Sequence, residues 1–286
     1  MNASHGVSAT QGTAAAHPTS VLRFENVTVS FDGDVVLHDI SFAAHEGESR
    51  VIMGAAGSGK TVLLKTAMGL VQPESGSVLV FDQDISKMSE HALFNIRSKI
   101  GMLFQESALF DSLNIEENVA YPLLNQPLVK CPADQVLSRV KEALEFVELS
   151  GTLEKFPSEL SGGMRRRAAI ARAVVTEPPL QMYDSPTAGL DPITAHTIMA
   201  LLIKERDVSQ ATTLMVTHRY QDGNLMANFR YNSEQGALEP AGSGTKKEVL
   251  TTFMMMKEGR LIFEGNQDRL EASKDPYICK FVKQRV

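Results

Sequence analysis

The chain has 286 residues, 43% of them hydrophobic and 22% charged, which is ordinary for a globular protein with a sizeable core and excludes wholesale disorder and collagen-like fibres. Two cysteines, Cys131 and Cys279, are too few for a disulfide scaffold and have no metal-ligand spacing, so they read as small, buried packing residues in a reducing compartment. The net charge of −6 gives no support for the basic face of a nucleic-acid binder, and no run approaches the roughly 18 apolar residues of a membrane span.

Residues 1–20, MNASHGVSATQGTAAAHPTS, have neither a basic start nor an apolar run of signal-peptide length, and their composition predicts a disordered tail. Alternation of apolar and polar residues predicts a strand over Val21–Phe31, a turn at Asp32-Gly33-Asp34 and a second strand over Val35–Phe42. Arg50–Met53 is a short apolar strand ending at a glycine, and a helix fits Lys60–Met68, stopping at Gly69. Val78–Phe81 and Ile100–Phe104 read as strands, and Val136, Leu137, Val140, Leu144 and Val147 recur at helical spacing within Asp134–Leu149. Leu180–Tyr183 and Thr213–Val216 are buried-strand candidates, with helices over Arg166–Val175 and Thr194–Lys204 between or beside them. Residues 220–252, rich in Gly, Asn, Ser and Glu with no clean period, read as a polar insertion or long loop. Phe253–Met256 and Arg260–Phe263 then form a hairpin around Lys257-Glu258-Gly259, its methionines read as strand core. Alternating strands and helices predict an α/β fold with a mainly parallel sheet.

The first chemical signal is GAAGSGKT, the residues Gly54, Ala55, Ala56, Gly57, Ser58, Gly59, Lys60 and Thr61. It fits a phosphate-binding loop placed after a strand and before a helix. Small residues let backbone N–H groups turn inward around a phosphate, and the helix that follows presents its positive end. Lys60 would reach the β- and γ-phosphates and the Thr61 hydroxyl would bind Mg²⁺. The bland alternative is a Gly-rich structural turn, which the strand–loop–helix setting disfavours. Asp184, closing the run Leu180-Gln181-Met182-Tyr183, is placed to hold Mg²⁺ through water. Alone that is a weak signal, because many strands end in Asp.

Leu160-Ser161-Gly162-Gly163-Met164 supplies what those two lack. Taken in order, GAAGSGKT, Gln105, LSGGM, YDSPTAGLD and His218 resemble the signature of ABC-transporter ATPases over about residues 21–270. Independently of that likeness, Ser161 is a good helix N-cap and Gly162 and Gly163 allow close backbone approach, giving a second anion site at a helix start. The resemblance implies a P-loop core of residues 21–105 and 166–286 with an antiparallel β flank and an inserted helical subdomain at residues 106–165. It implies ATP and Mg²⁺ as cofactors, and two ATPs sandwiched in a head-to-tail homodimer, with Ser161, Gly162 and Gly163 facing the partner's γ-phosphate. It casts Gln105 as a Mg²⁺ contact, Asp191 as a residue of the interface loop and His218 as the switch histidine. Phe31 is cast as the aromatic that stacks on adenine, with plain strand core as the alternative. Arg165-Arg166-Arg167 reads as a solvated helix face.

A narrower similarity joins Met102–Leu123, Leu160–Ala173 and Asp191-Pro192-Ile193-Thr194 to ATPases of Mce-type lipid transporters, the maintenance-of-lipid-asymmetry group. That implies two ATPase subunits at the cytoplasmic face of the inner membrane, a separate membrane permease facing Gln105–Tyr121, and an Mce-type lipid-binding protein, with phospholipid as cargo and no nucleic acid as partner.

The sequence departs from the family at Asp184-Ser185-Pro186. Ser185 stands where the family has the Glu that positions or deprotonates water, and a serine hydroxyl accepts no proton usefully near pH 7. Three readings follow: Ser185 is native, with His218 or Glu106 orienting water; it is an introduced change that traps ATP; or the chain binds ATP as a switch and turns it over poorly. Arg219 also stands where the family commonly has Asp. The rivals to a transporter subunit are therefore a soluble ABC ATPase and a hydrolysis-poor, ATP-dependent clamp.

Overall fold

The computed structural model describes residues 20–126, 128–242 and 251–283. In chain order, β1 (Ser20–Phe31) and β2 (Asp34–His45) form a hairpin, and β3 (Ser49–Met53) leads into α1 (Lys60–Ala67). They are followed by β4 (Ser75–Val80), β5 (Gln83–Asp84), α2 (Glu90–Arg97), β6 (Ile100–Leu103), α3 (Ile115–Asn125) and α4 (Val136–Phe146). A 3-10 turn at Pro157–Glu159 precedes α5 (Gly162–Val174), β7 (Leu180–Asp184), α6 (Pro192–Ser209), β8 (Thr212–Thr217) and α7 (Tyr220–Asn228). Last come β9 (Phe229–Asn232), β10 (Ala237–Pro240), β11 (Thr251–Lys257), β12 (Arg260–Gly265), α8 (Gln267–Glu271) and α9 (Pro276–Val282).

The central sheet runs β12-β11-β3-β8-β7-β6. Its strands from β11 to β6 are parallel, and β12 adds an antiparallel edge. A second, antiparallel sheet of order β2-β1-β4-β5 lies over one face. The expected α/β class with a mainly parallel sheet is borne out. β3, β7 and β8 are buried along their whole length, as strands covered on both faces must be, and such strands read as continuous apolar runs.

The run Phe253–Met256 explains itself by the pleat. Met254 and Met256 enter the core between the two sheets, and Phe253 and Met255 enter the core beneath the helices. All four are fully buried, each worth roughly 1.5–3 kcal/mol of transfer free energy. Gln181, the polar break in β7, is also buried; its amide donates to Glu205 on α6 at 2.7 Å and its carbonyl accepts the Tyr183 hydroxyl. Burial pushes the Glu205 carboxyl above its usual range.

Three expectations change. The polar insertion at residues 220–252 opens as helix α7 and continues as the β9–β10 hairpin. Gly223 sits inside α7 because a Cβ there would lie 2.7 Å from Phe253 Cε1 and 3.1 Å from Val51 Cγ1, so a residue that reads as a loop former is a packing requirement. Residues 243–250 fall outside the described residues, as do residues 1–19 of the tail expected over residues 1–20, whose last residue, Ser20, opens β1. Cys131 and Cys279 are half-buried free thiols, and neither is a core residue. Helices α2, α3, α8 and α9, which the sequence reading does not delimit, start at side-chain caps: Ser89 accepts the Ala92 N–H, Asn114 with Glu117 forms a reciprocal capping box, Asn266 accepts the Arg269 N–H, and Asp275 accepts the Tyr277 and Ile278 N–H groups.

Candidate functional site

β3 delivers the chain to Gly54 at the carboxyl end of the parallel sheet, the end at which open α/β sheets bind ligands. The loop Gly54–Gly59 then turns back into α1. Two glycines fix its shape. At Gly54 a Cβ would collide with the Met256 carbonyl and lie 2.7 Å from Ser58 Oγ, and at Gly59, with φ of 97°, it would lie 2.9 Å from Leu37 Cδ2. The two ends of the loop are therefore wedged against β11 and β2 with no space for a side chain at Gly54 or Gly59, while residues 55–57 between them are exposed. No side chain caps α1, so its first-turn N–H groups remain available for an anion.

Lys60 is buried, and its Nζ donates to the Gly54 carbonyl at 2.8 Å, the Ala55 carbonyl at 2.7 Å and Ser58 Oγ at 3.2 Å. Burial pushes its ammonium pKa down, and the nearby Asp184 carboxylate pulls it back up. Asp184 is itself 3% exposed, at the end of β7, and accepts the Ser185 hydroxyl at 3.2 Å. Ser185 adopts a left-handed φ of 48°, a conformation that a non-glycine residue holds at some cost.

Loops after β6, β7 and β8 converge on the phosphate loop. Together they enclose a cavity of about 650 Å³ lined by Val36, Ala55, Ala56, Gly57, Gly59, Lys60, Thr61, Val62, Gln105, Ser185, Ala188, His218 and Phe281, a volume suited to a small-molecule ligand. Sequence spacing alone could not assemble this set; the parallel register of β6, β7, β8 and β3 does. Behind it, the Thr187 and Thr217 hydroxyls both donate to Asp222 Oδ2 at 2.7 Å, tying the Ser185 loop to the His218 loop. Burial raises the Asp222 pKa, partly offset by those hydroxyls and by Arg219 and His218. Arg219, which stands where the family commonly has Asp, lies 3.8 Å from Asp222.

Other sequence candidates lie elsewhere. Ser161 caps α5, accepting the Met164 N–H at 3.2 Å, and Gly163 abuts α6, where a Cβ would lie 2.7 Å from Thr194 Cγ2. Asp191 caps α6 by accepting the Ile193 and Thr194 N–H groups, both at 3.0 Å. The Thr194 hydroxyl and these amides hold the Asp191 carboxyl below its ordinary range. Ser161, Gly162 and Asp191 are exposed and Gly163 half-buried beside them, and none of the four takes part in the cavity of the same chain. Phe31 is 44% exposed at the end of β1, so it is not strand core; it too lies outside the cavity lining. Glu106 is an exposed carboxylate outside that lining.

Arg165-Arg166-Arg167 is only in part a solvated face: Arg165 is exposed and Arg167 half-buried. Arg166 is 5% exposed and donates to the Phe104 carbonyl at 2.9 Å; Arg165 donates to the Leu160 carbonyl and Arg167 to that of Val147. Six residues on from Arg166, Arg172 donates to the Ser107 and Ala108 carbonyls at 2.9 and 2.7 Å, burial bringing its pKa down to about 10. Helix α5 therefore holds the Gln105 loop from both sides. Sequence reasoning missed Asp222, Arg166, Arg172 and Phe281. Only the clustered arginines carried a signal, and it was read as solvation.

Residues 37–188, slightly more than half of the chain, match the ABC transporter family. The chain belongs to that family and is an ABC-type ATPase. It is 31% identical over 264 residues, covering 92% of this chain and 90% of the relative, to the intermembrane phospholipid transport system ATP-binding protein MlaF of Haemophilus influenzae. It is 39% identical over 197 residues to a Mycobacterium leprae protein described as "Probable ribonucleotide transport ATP-binding protein mkl", covering 69% of this chain and 56% of that one. Among solved structures it is similar to the dimeric ATP-binding cassette MJ0796 in a post-hydrolysis state bound to ADP and Pi, with a TM-score of 0.72, 28% identity, and coverage of 86% of this chain and 98% of that one. No helix among the described residues is long and apolar enough to cross a membrane.

Proposed function

We propose that this chain is the ATPase subunit of a phospholipid transporter and works as a homodimer on the cytoplasmic face of the inner membrane. The observation that carries the ATP part is the single cavity walled by the phosphate loop, Gln105, Ser185 and His218. Lys60 and the backbone amides of Ala56, Gly57 and Gly59 to Thr61 would hold the phosphates. The oxygen-rich set of Thr61, Gln105 and Asp184 suits a hard cation such as Mg²⁺, which would neutralise phosphate charge when bound. His218 would sense the γ-phosphate, and Phe31, exposed at the hairpin end, would meet the adenine.

The rim of Ser161, Gly162 and Asp191, exposed, with Gly163 half-buried beside them, supports a head-to-tail dimer, in which one protomer's rim would close the cavity of its partner. Phospholipid is favoured over ribonucleotide as cargo because the MlaF likeness spans nearly the whole of both chains and the mkl likeness little more than half of that protein. A separate permease would dock against Gln105–Tyr121, where Phe110 and Tyr121 are both exposed with ring centroids 4.7 Å apart, and an Mce-type protein would complete the complex. Pull-down of the tagged chain from detergent-solubilised membranes, with lipid analysis, tests this. A multi-pass permease and bound phospholipid are expected; recovery of the chain alone, or with a soluble partner, would refute the transporter reading.

A second reading, a hydrolysis-poor ATP-dependent clamp, is favoured by one observation: the only side chain at the position of the family's Glu is the Ser185 hydroxyl, which is spent on Asp184. Steady-state ATP turnover separates the two.

A further inference from the structure

The phosphate loop has a second support that its motif does not foretell. The Tyr277 hydroxyl, on α9, accepts the Ala55 N–H at 2.9 Å and donates to the Met256 carbonyl at 3.0 Å. One side chain thereby bridges the second residue of the loop to the end of β11. The start of α9 is fixed by Asp275, which accepts the Tyr277 N–H at 2.7 Å, and Lys257 Nζ lies 5.5 Å from the centroid of the Tyr277 ring. One helical turn on, Phe281 packs against Tyr277 with centroids 5.2 Å apart and forms part of the cavity wall that also includes Ala55, Lys60 and Ser185.

A loop that wraps an anion with backbone N–H groups binds more tightly when its shape is set beforehand, because less ordering is required on binding. Lys60 holds the carbonyl side of Gly54 and Ala55; Tyr277 holds the amide side of Ala55. The loop is exposed at residues 55–57, so it is here that an external brace has the most to fix. We propose that α9 is part of the nucleotide site, with Tyr277 a positioning residue for the phosphate loop and Phe281 an aromatic wall against which the bound nucleotide packs. This rests on the reading of the cavity as the ATP site.

The chain contains no tryptophan, so Phe281→Trp in the full chain places a lone indole in that wall. Titration with ATP and Mg²⁺ should shift or quench its emission saturably, with the midpoint found by calorimetry for the same variant. Tyr277→Phe removes only the bridging hydroxyl. It should raise the dissociation constant and KM for ATP about three- to tenfold, the range expected for one lost hydrogen bond, with only a small fall in melting temperature and with kcat less affected than KM. If Lys60→Ala abolishes ATP binding while the Phe281→Trp emission ignores saturating ATP, or while Tyr277→Phe binds ATP like the parent, α9 is no part of the site and the ATP-site reading survives. If Lys60→Ala binds ATP as the parent does, the cavity reading fails, and this proposal fails with it.

Discussion

The phosphate loop and the Ser161 rim both present small residues at the start of a helix, yet the chain finishes one and leaves the other open. Gly54 and Gly59 are pressed against β11 and β2, and Lys60 is 8% exposed with three hydrogen-bond acceptors. Ser161 and Gly162 are exposed, and a Cβ on Gly162 would meet nothing within 4 Å. A glycine with no steric reason inside its own chain is consistent with close approach by something outside it. On the proposed function the two would have separate jobs: the loop would bind within one protomer, and the rim would act on a neighbour.

Lys60→Ala should have the largest effect. It removes the buried cation that the loop is built around, so ATP affinity measured by calorimetry should fall below detection with the fold intact by circular dichroism. Unchanged affinity would break the comparison at its first half. Ser161→Arg tests the second half. ATP should still bind, because the rim is outside the cavity, but ATP-driven dimerisation in light scattering should be lost. A mutant that dimerises normally would mean the rim faces no nucleotide.

Ser185→Glu sharpens the catalytic side. The residues proposed to hold phosphate and Mg²⁺ do not depend on a carboxylate at 185, so parent ATP dimers should be long-lived and the variant should turn over faster by roughly the 10²–10⁴ of a general base. Brisk parent turnover that Glu does not improve would require another base. Glu106, exposed and away from the cavity lining, is then a poorer candidate than His218, which lines it.

These tests rest on features of unequal legibility. The phosphate loop, Asp184 and the Ser161 cap are local: neighbouring residues define them, and the sequence displays them directly. The convergence of Gln105, Ser185 and His218 depends on strand order, which the five ordered motifs implied only through family resemblance. Helix α7 was hidden because Gly223 and its asparagines have low helix propensity; contact with Phe253 and Val51 overrides it. Arg166 reads as a solvent residue, and Arg172 carries no signal, because their acceptors are backbone carbonyls some sixty positions away, which no side-chain pattern encodes. Tyr277 and Phe281 lie over two hundred residues from the loop, and nothing in the sequence links them.

Asp222→Ala probes how the two loops behind the cavity are coupled. The Thr187 and Thr217 hydroxyls, both 1% exposed, would lose their shared acceptor, at about 1–3 kcal/mol for buried groups left unsatisfied. The carboxylate's own burial cost offsets part of that, so urea unfolding should show a loss toward the lower end. A stability equal to the parent would mean that solvent reaches the loops, and that the cavity floor is looser than its hydrogen bonds imply.

Asp191→Asn should be the smallest effect, and it isolates what the rim contributes to its own protomer. The asparagine oxygen keeps an acceptor for the Ile193 and Thr194 N–H groups, so the cap of α6 survives, but the charge at the helix start is lost. The Asp191 pKa is depressed in the folded chain. A depressed carboxylate contributes stability that is fully present above its unfolded pKa of about 3.9 and is lost as pH falls through the lower folded value. The parent should therefore melt slightly above Asp191→Asn at neutral pH, and the gap should close on acidification below about pH 4. Because the group is solvent-exposed, salt should narrow the gap as well. A gap that persists in acid would show that Asn disturbs the cap geometry. In a dimeric, ATP-bound sample the same substitution should cost more than in the free protomer, if Asp191 also meets the partner across the closed site.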